Sequence, residues 1–528
     1  MNRNDSISRL EQSFSEPFDF VIVGGGATGL GAAVEASARG FKVALLEGHD
    51  FAKGTSSRST KLVHGGVRYL AQGNIGLVRE ALRERGRMRR NAPHLVHDLE
   101  FVVPAYDWWA GPYYGIGLKL YDVLAGKLNL GSSKLISRAS AIERIPTIHS
   151  EGLQGGVVYF DGQFDDTRLA VTLAQTATDH GAAIANYVNV EGLLHTSDRI
   201  SGVVVRDLET DREIEVHGKA VINATGVWAD NLRKMDDPDA KNAVSPSQGV
   251  HLVLPKEFLP ASSALMVPRT DDGRVLFVVP WHGKAIVGTT DTAVPSADFE
   301  PKPLEEEIQF LLEHTGRYLN RTPKREEVLA VYAGLRPLVK SGGAESTAAL
   351  SRDHTILVSR TGLVTIVGGK WTTYRKMGED VINRASIIAG LEVKESPTPE
   401  MRLHAAPDIK QTTGFEPGTV DECLSMYGLE ADQVRAIANE NPALAAPIHA
   451  ELPYIKAEIV WGVRHEMART LEDALSRRTR SLILNARAAL EAAPAVARLM
   501  AVELERGAAW EEAQLELFRD RANESILS

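Results

Sequence analysis

Residues 18–47 read FDFVIVGGGATGLGAAVEASARGFKVALLE, and this stretch decides the fold. Its first six residues form a short apolar run rich in β-branched side chains, typical of a buried parallel strand. Three glycines follow, and small and apolar residues from about Gly29 to Arg39 then predict a helix that Gly40 ends. Residues 41–47 predict a second strand. The order of strand, glycine turn, helix and strand predicts a βαβ unit.

The glycines of this unit match the spacing G-x-G-x-x-G, with Gly24, Gly26 and Gly29 at the required positions. Such a turn lets the backbone approach a pyrophosphate, which sits over the helix N-terminus where free N–H groups favour negative charge. Glu47 ends the second strand, where a carboxylate accepts hydrogen bonds from ribose hydroxyls and disfavours a 2′-phosphate. The stretch therefore predicts a dinucleotide site.

This motif does not by itself separate FAD from NAD. Residues 221–226 (VINATG) and 366–370 (IVGGK) are further strands that end in turns of small residues. Three such junctions, spread over most of the chain, favour one long cofactor that distant segments contact together.

Composition and charge exclude several classes of protein. The 528 residues are 44% apolar and 24% charged, which is ordinary for a globular protein and excludes disordered, collagenous and fibrous chains. The net charge of −10 argues against a nucleic-acid partner. The single cysteine, Cys423, excludes an intramolecular disulfide and a multi-cysteine metal or iron–sulfur site, and we predict no metal. No apolar run is long enough for a transmembrane helix, and the first 17 residues lack the apolar core of a secretion signal.

The predicted fold class is α/β. It comprises a doubly wound, glutathione-reductase-like FAD domain, a β-sheet substrate domain and a C-terminal α-helical domain. The FAD domain is discontinuous, because the strand-to-glycine junctions are far apart. The predicted boundaries are a polar tail at 1–17, the FAD domain at 18–90, 150–230 and 350–390, the substrate domain at 91–149 and 231–349, a linker at 391–414 and the helical domain at 415–528.

Several stretches resemble the FAD-dependent glycerol-3-phosphate dehydrogenases, within the wider superfamily of glutathione-reductase-like and D-amino-acid-oxidase-like flavoproteins. The resemblance covers nearly the whole chain after residue 17. The matching stretches include TSSRSTKLVHGGVRYL (residues 55–70), INATGVWAD (222–230), AGLRPL (333–338), SRDHT (351–355) and VGGKWTTYRKMGED (367–380). The most specific are the blocks HGG-x-RYL (64–70) and GGK-x-TTYR (368–375) within them.

This resemblance implies non-covalent FAD and sn-glycerol 3-phosphate as substrate, with electrons passing to a membrane quinone. It implies a phosphate clamp of Arg68, Arg336 and Arg352, with Tyr69 beside the first, because the planar guanidinium binds phosphate in a bidentate way. The implied cofactor residues, beyond the first glycines and Glu47, are Thr55, Ser56, Ser57, Ser59, Gly65, Gly66, Thr225, Gly226, Gly368, Gly369, Lys370 and Thr372. A solvated turn is the alternative for the hydroxyl-rich loop.

His251 is the candidate general base, because its ordinary pKa lets it accept the hydroxyl proton while hydride leaves the neighbouring carbon. The alternative is that an arginine of the clamp, such as Arg336, or Lys370 stabilises the alkoxide. Lys370 could also place its charge near the flavin. A histidine in an apolar strand is otherwise a structural hydrogen-bonding residue.

A membrane-facing surface is predicted from residues 79–90 (REALRERGRMRR), which carry six arginines against two glutamates, and from the aromatic residues that follow, among them Trp108 and Trp109. Aromatic and cationic side chains suit an anionic lipid surface, although a solvated basic helix is the alternative. The resemblance favours peripheral binding at the cytoplasmic, inner face of the cell membrane. A homodimer is left open.

Two other functions stay in view. One is an oxygen-using oxidase of the same superfamily acting on glycerol 3-phosphate or on an amino or hydroxy acid. The other, from a different class, is a flavin-binding redox sensor without turnover.

Overall fold

In a computed structural model, residues 1–66, 74–107, 110–268, 270, 273–340, 353–408 and 415–527 are described. Eighteen strands within these ranges form two sheets. The strands are β1 (Phe18–Val23), β2 (Val43–Leu46), β3 (Leu62–Val63), β4 (Val96–Ala105), β5 (Lys134–Ser137), β6 (Gly155–Phe164), β7 (Ala183–Ala185), β8 (Val188–Thr196), β9 (Arg199–Asp207), β10 (Arg212–Asn223), β11 (Val244–Pro255), β12 (Ala264–Val267), β13 (Leu276–Trp281), β14 (Lys284–Gly288), β15 (Thr292–Ala293), β16 (Ala330–Val339), β17 (His354–Val358) and β18 (Val364–Gly368).

The first sheet has eight strands, and its main order is β17-β18-β10-β1-β2-β7. Strands β18, β10, β1, β2 and β7 run parallel, while β17 pairs antiparallel with β18. Since β1 carries the glycine turn and lies at the centre, the ends of its parallel neighbours reach the same edge of the sheet.

The second sheet has ten strands, with main order β15-β11-β14-β13-β12-β4-β6-β3, and β16 pairs with β11. Strands β3 and β6 belong to it, although the predicted boundaries placed both with the FAD domain. The reason is that β6 pairs along its length with β4, residue 96 facing residue 164. An apolar run in the sequence does not show which sheet it will join.

The described part of the C-terminal region, residues 415–527, contains helices and no strand of either sheet, as the predicted fold class requires. The α-helices of the described residues are α1 (Arg3–Glu11), α2 (Ala27–Ala38), α3 (Ile75–Asn91), α4 (Ala110–Ala125), α5 (Arg138–Arg144), α6 (Asp166–Asp179), α7 (Ala229–Asp236), α8 (Glu305–Tyr318), α9 (Tyr374–Ile388), α10 (Val420–Ser425), α11 (Ala431–Glu440), α12 (Lys456–His465), α13 (Ser481–Leu484), α14 (Ala486–Glu503) and α15 (Ala508–Asn523). No helix of the described ranges is long and apolar enough to cross a bilayer.

The polar tail predicted at 1–17 is instead an ordered helix, α1, that packs on the first sheet. Asn2 caps it by accepting from the N–H groups of Asn4 and Asp5. Ile7 and Leu10 are buried among strands of that sheet. Two apolar residues in nine were too weak a periodic signal to predict this helix.

The predicted linker is also packed along its described part, residues 391–408. The N–H of Leu403 donates to the Asn91 carbonyl at 2.9 Å, and that of His404 donates to Thr176 Oγ1 at 2.9 Å. This connector therefore lies against α3 and α6 before the chain enters the helical region.

Buried ion pairs fasten the helical region to the first sheet. Arg168 of α6 donates to both carboxylate oxygens of Glu466 at 2.8 Å, with both side chains almost fully buried. Asp50 accepts from Arg477 at 2.6 Å and from Arg478 at 2.8 Å. Burial opposes ionisation of Glu466, but the Arg168 charge outweighs it and lowers the pKa of that carboxyl. The stability that this pair contributes is therefore present above the ordinary glutamate pKa and is lost as the pH falls through the lowered value.

We predict that Glu466→Gln destabilises the protein by about 3–5 kcal/mol, because it leaves the buried Arg168 guanidinium without a counter-charge. The matched control is Glu503→Gln, which breaks the solvent-exposed pair of Glu503 with Arg464 and should cost less than about 1 kcal/mol. Thermal and urea unfolding of the two variants check this. Equal effects of both substitutions would show that the buried pair does not hold the helical region.

Candidate active site

The glycine turn at the carboxyl end of β1 has the geometry that a pyrophosphate requires. Gly24 has φ +110°, a conformation that side chains disfavour, and a Cβ on Gly29 would lie 1.8 Å from the Gly24 carbonyl oxygen. Helix α2 begins at Ala27, whose N–H donates to Ser56 Oγ at 2.9 Å. The bare backbone and the helix N-terminus together form a phosphate cradle.

Glu47 lies next to this cradle, directly after β2. Its carboxylate accepts from the N–H of Gly25 at 2.6 Å and from that of His49 at 2.8 Å. Burial raises the pKa of Glu47, although these two backbone hydrogen bonds oppose the rise. The backbone thus fixes the orientation of the carboxylate beside the turn.

The turns after β10 and β18 meet the cradle at the same edge of the sheet, and the three together enclose a cavity of about 370 Å³. The cavity unites ten of the predicted cofactor residues from five segments. These are Gly24, Gly26, Glu47, Thr55, Ser56, Thr225, Gly226, Gly368, Gly369 and Lys370.

A second cavity of about 220 Å³ continues from the first, since both are lined by Thr55, Gly369, Lys370 and Trp371. It is lined by four further predicted residues, namely Ser59, His251, Arg336 and Thr372. A third cavity, of about 200 Å³, is lined by Gly66 and also by Arg336.

His251, on β11, forms one wall of the second cavity and is held on two sides. Its Nε2 lies 2.8 Å from Thr60 Oγ1, and its ring stacks on Tyr332 with centroids 4.7 Å apart. Tyr332 in turn donates from its hydroxyl to the Ser59 carbonyl at 3.0 Å. Burial, followed by the charges of Lys61 and Arg336, lowers the pKa of His251 well below 6.5. The imidazole is therefore neutral near pH 7 and able to accept a proton.

Arg336, on β16, has its guanidinium fixed by four polar groups. It donates to the carbonyls of Gln248 at 3.2 Å and Thr290 at 3.0 Å, and to Thr289 Oγ1 at 3.1 Å. It also lies 3.4 Å from an Asp291 carboxylate oxygen. These contacts position one positive charge at the junction of the second and third cavities.

The antiparallel pairing of β11 with β16 explains why these side chains share a face. His251 lies opposite Tyr332, and Ser247 lies opposite Arg336. Since side chains alternate along a strand, residues two or four positions apart point to the same side. The register therefore brings His251 and Arg336 to one face of the second sheet.

Three predicted residues, Ser57, Gly65 and Gly29, do not line these cavities. Ser57 is buried, and its carbonyl accepts from Lys61 Nζ at 2.7 Å and from Arg480 at 3.0 Å. Gly65 donates its N–H to the Tyr121 hydroxyl at 2.7 Å, so it shapes the loop that carries Gly66. Gly29 packs closely against the Gly24 carbonyl and so shapes the turn without lining the cavity. Three predicted substrate residues, Arg68, Tyr69 and Arg352, lie outside the described residues.

Sequence reasoning missed a buried ion cluster under the histidine. Lys61 Nζ lies 2.6 Å from one Asp166 oxygen, and Arg480 donates to the other at 3.0 Å. Burial is the main reason that the pKa of Lys61 falls to about 8, although Asp166 opposes the fall. Asp166 lies 105 positions from Lys61 and 314 positions from Arg480 in the chain, so no local pattern could have linked them. They support Thr60, the residue that holds His251.

An aromatic pair at the other end of the first cavity was also missed. Trp228 stacks on Phe299 with centroids 4.0 Å apart and planes 14° apart, and His49 meets the edge of the same phenylalanine. Trp228 follows the turn after β10. The sequence indicated its importance only because it lies in INATGVWAD (222–230), one of the stretches that resemble the flavoprotein family.

The continuous space from Glu47 to His251 suits an elongated dinucleotide whose reactive ring must meet a proton acceptor. The donor set fits FAD: a carboxylate for the ribose, a bare turn and helix end for the diphosphate, and a lysine near the ring position. The site thereby defines the protein as a flavin-type oxidoreductase.

Comparison with known proteins supports the assignment to the flavin-type oxidoreductases. Residues 19–375 match the family described as FAD dependent oxidoreductase, and residues 359–514 match the C-terminal domain of alpha-glycerophosphate oxidase. The chain is 42% identical to the mitochondrial glycerol-3-phosphate dehydrogenase of Homo sapiens, over 96% of this chain and 73% of that protein. It is 43% identical to the Macaca fascicularis enzyme of the same name, over 93% and 71%.

A solved structure is also similar. The glycerol-3-phosphate dehydrogenase from Bacillus halodurans, complexed with FAD, superposes with a TM-score of 0.80 at 28% identity, over 99% of this chain and 97% of that one. The chain belongs to the glycerol-3-phosphate dehydrogenase family of FAD-dependent oxidoreductases. The predicted fold class and the predicted cofactor, FAD, are therefore confirmed.

We predict that Gly29→Ala causes the purified protein to lose FAD. The added methyl group would collide with the Gly24 carbonyl, so the turn must open and the phosphate cradle is lost. Gly76→Ala is the control, because a Cβ at that helical glycine meets nothing within 4 Å. The ratio of flavin to protein absorbance measures the outcome. Full FAD content in the Gly29 variant would contradict the assignment of this turn.

Proposed function

We propose that the protein oxidises sn-glycerol 3-phosphate to dihydroxyacetone phosphate. The observation that carries this proposal is a neutral, buried histidine and a fixed arginine on one face of β11 and β16, beside the cavity that fits the flavin end of FAD. The substrate is inferred from the family relationship, since the relatives are named glycerol-3-phosphate dehydrogenases.

Arg336 is proposed to bind the substrate phosphate, because its guanidinium is already oriented by backbone carbonyls and loses little freedom on binding. Arg68, Tyr69 and Arg352 are assigned to the same phosphate from the family resemblance. This binding would hold the secondary alcohol within reach of His251.

His251 is proposed to take the proton of that alcohol as the carbon–hydrogen bond breaks. Thr60 and Tyr332 fix its ring, so little reorientation is needed. When bound, FAD supplies the two-electron acceptor for the hydride and the route by which the electrons leave. Lys370, which lines both of the connected cavities, places a positive charge where negative charge develops.

The proposed base gives a prediction for pH dependence. Because His251 must be neutral and its pKa lies below 6.5, kcat/KM should stay constant down to pH 6.5 and fall only at lower pH. Lys61→Met removes a charge that lowers this pKa, so the acidic limb should move to higher pH. The control, Lys376→Met, removes a lysine that pairs with Glu379 and Asp380 on α9 and should leave the profile in place. An acidic limb that does not move in the Lys61 variant would remove His251 from the role of base.

Anaerobic mixing with sn-glycerol 3-phosphate tests the function as a whole. The proposal expects the yellow flavin absorbance to bleach, whereas the redox-sensor alternative expects no change. With oxygen present, stoichiometric hydrogen peroxide would reassign the acceptor from quinone to oxygen. Absence of bleaching in protein that is fully loaded with FAD would reject the proposed substrate.

We propose a membrane quinone as the electron acceptor. We also propose that the protein attaches peripherally to an anionic bilayer, at the cytoplasmic face of the cell membrane. What supports attachment is an apolar face on α4. Ile116, Leu120 and Val123 lie four and three positions apart, which is the spacing of one helix face, and are 45–76% exposed. Leu135 on the neighbouring β5 is 61% exposed. Exposed apolar side chains next to one another mark binding surfaces.

The predicted basic stretch, residues 79–90, contributes less positive charge to the surface than its sequence suggested. Arg85 is buried against Asp161 at 2.6 Å, Arg87 pairs with Glu84, and Arg89 pairs with Asp98. Since Glu84 belongs to the stretch itself, Asp161 and Asp98 neutralise about half of its net positive charge. Trp108 and Trp109 lie outside the described residues, and the homodimer stays a prediction.

We predict that the double substitution Ile116→Glu and Val123→Glu weakens binding to anionic vesicles by at least about tenfold, since two apolar side chains no longer enter the bilayer and two negative charges face it. The control is Val502→Glu with Leu517→Glu, on exposed positions of α14 and α15. Vesicle flotation measures both. Equal binding of the two double variants would place the attachment surface elsewhere.

A further inference from the structure

A histidine of the second sheet reaches into the helical region at a point that the reaction does not use. His282 lies in the turn between β13 and β14, and its ring is buried to all but 6%. Its Nδ1 lies 3.1 Å from a carboxylate oxygen of Glu422, and its Nε2 lies 3.7 Å from Asp165. Cys423, the next residue along α10, is fully buried beside it.

We propose that His282, Glu422 and Cys423 form a binding site for a divalent metal ion, with Zn²⁺ as the expected occupant. One ligand atom from each of the three residues lies within 4.8 Å of the other two. The edges of a Zn²⁺ tetrahedron with nitrogen, oxygen and sulfur ligands are about 3.3–3.6 Å, as its bond lengths require. Shifts of about 1 Å would therefore bring the three atoms into coordination.

The chemistry of the donor set selects the metal. One imidazole nitrogen, one carboxylate and one thiol form a mixed set that suits Zn²⁺, whereas Ca²⁺ and Mg²⁺ require oxygen ligands alone. Three protein ligands leave a fourth position for water. The Glu422 side chain is 23% exposed, so it offers a path from solvent to the otherwise buried site.

The hydrogen bonding of His282 points independently to a ligand. Its Nδ1 faces Glu422 at 3.1 Å and its Nε2 faces Asp165 at 3.7 Å, but within the described residues neither contact has the geometry of a hydrogen bond, although both nitrogens and Asp165 Oδ2 are buried. Buried polar atoms in this state are costly. A metal on Nδ1 would satisfy that nitrogen and turn the opposite N–H toward Asp165.

The surrounding groups support coordination through Nδ1. Histidine ligands of metals commonly donate their other ring N–H to a carboxylate, and Asp165 is placed for this role. Glu422 is itself oriented, because the N–H of Gly418 donates to its carboxylate at 2.6 Å. Although burial opposes it, Glu422 and Asp165 raise the pKa of His282 well above its ordinary value, so the ring is protonated in the metal-free protein. Binding would therefore release two protons to the buffer, one from His282 Nδ1 and one from the Cys423 thiol, and would leave a neutral imidazole and a thiolate on the metal.

Such a site would act as a clip between two parts of the fold. His282 belongs to the second sheet, while Glu422 and Cys423 belong to the helical region. A metal that binds only the folded protein stabilises it in proportion to the logarithm of its concentration above Kd. Zn²⁺ should therefore raise the melting temperature of the FAD-loaded enzyme without being needed for flavin reduction.

Cobalt titration of the FAD-loaded enzyme, in a metal-free and thiol-free buffer, tests the site. Cys423 is the chain's only cysteine, so a thiolate-to-cobalt charge-transfer band can arise from no other residue. The proposal expects this band to saturate at one equivalent of Co²⁺ and to disappear when Zn²⁺ displaces it. Folded, yellow protein that gives no such band would overturn the proposal.

Cys423→Ser should abolish the band and weaken Zn²⁺ binding, measured by calorimetry, by at least tenfold. The control is His449→Asn, because His449 pairs with a single carboxylate, Glu491, in the same helical region; this variant should bind like the parent. Equal Zn²⁺ affinity in the serine variant and the parent would show that the cysteine is not a ligand. If the serine variant does not fold, the cobalt spectrum of the parent alone decides.

Discussion

The carboxyl ends of β1, β10 and β18 meet at one edge of the first sheet, and the rest of the site depends on this arrangement. Parallel neighbours in a sheet must finish on the same side, so three segments that are distant in sequence deliver their turns to one place. Each turn ends in small residues, which leaves backbone N–H groups and open space instead of side chains. An anionic ligand is then favoured by the start of α2 and by the absence of steric obstruction.

The second sheet carries the proposed base, His251, and the proposed phosphate-binding residue, Arg336, and buried charges lie next to them. Lys61 and Asp166 support the loop that carries Thr60, while Arg480 reaches the same carboxylate from the helical region. The positive charge of Lys61 also reaches His251 and lowers its pKa. One ion cluster thus links three parts of the fold and also keeps the proposed base neutral. Burying these charges costs desolvation free energy, so the ion cluster contributes little net stability. Its main role is to position the side chains of the site.

The sequence predicted the parts of the fold that local patterns encode. The βαβ unit, Glu47 and the two later glycine turns were all found from spacing and strand periodicity, and they line one cavity as expected. The sequence did not predict the features that depend on contacts between residues far apart in the chain. Arg85 looked like part of a basic surface, but its partner Asp161 lies on a strand 76 residues away. The helix α1 was missed because only its packing on the first sheet, not its composition, shows that it is ordered.

A crystal structure of the FAD-loaded protein with sn-glycerol 3-phosphate, obtained without an electron acceptor, would show whether His251 and Arg336 meet the substrate beside the flavin. We predict that the dinucleotide lies along the continuous space from Glu47 to Lys370, with the substrate hydroxyl within hydrogen-bond distance of His251 and the phosphate on Arg336. A substrate bound with its hydroxyl away from His251, or a flavin ring outside the cavity between His251 and Lys370, would contradict it.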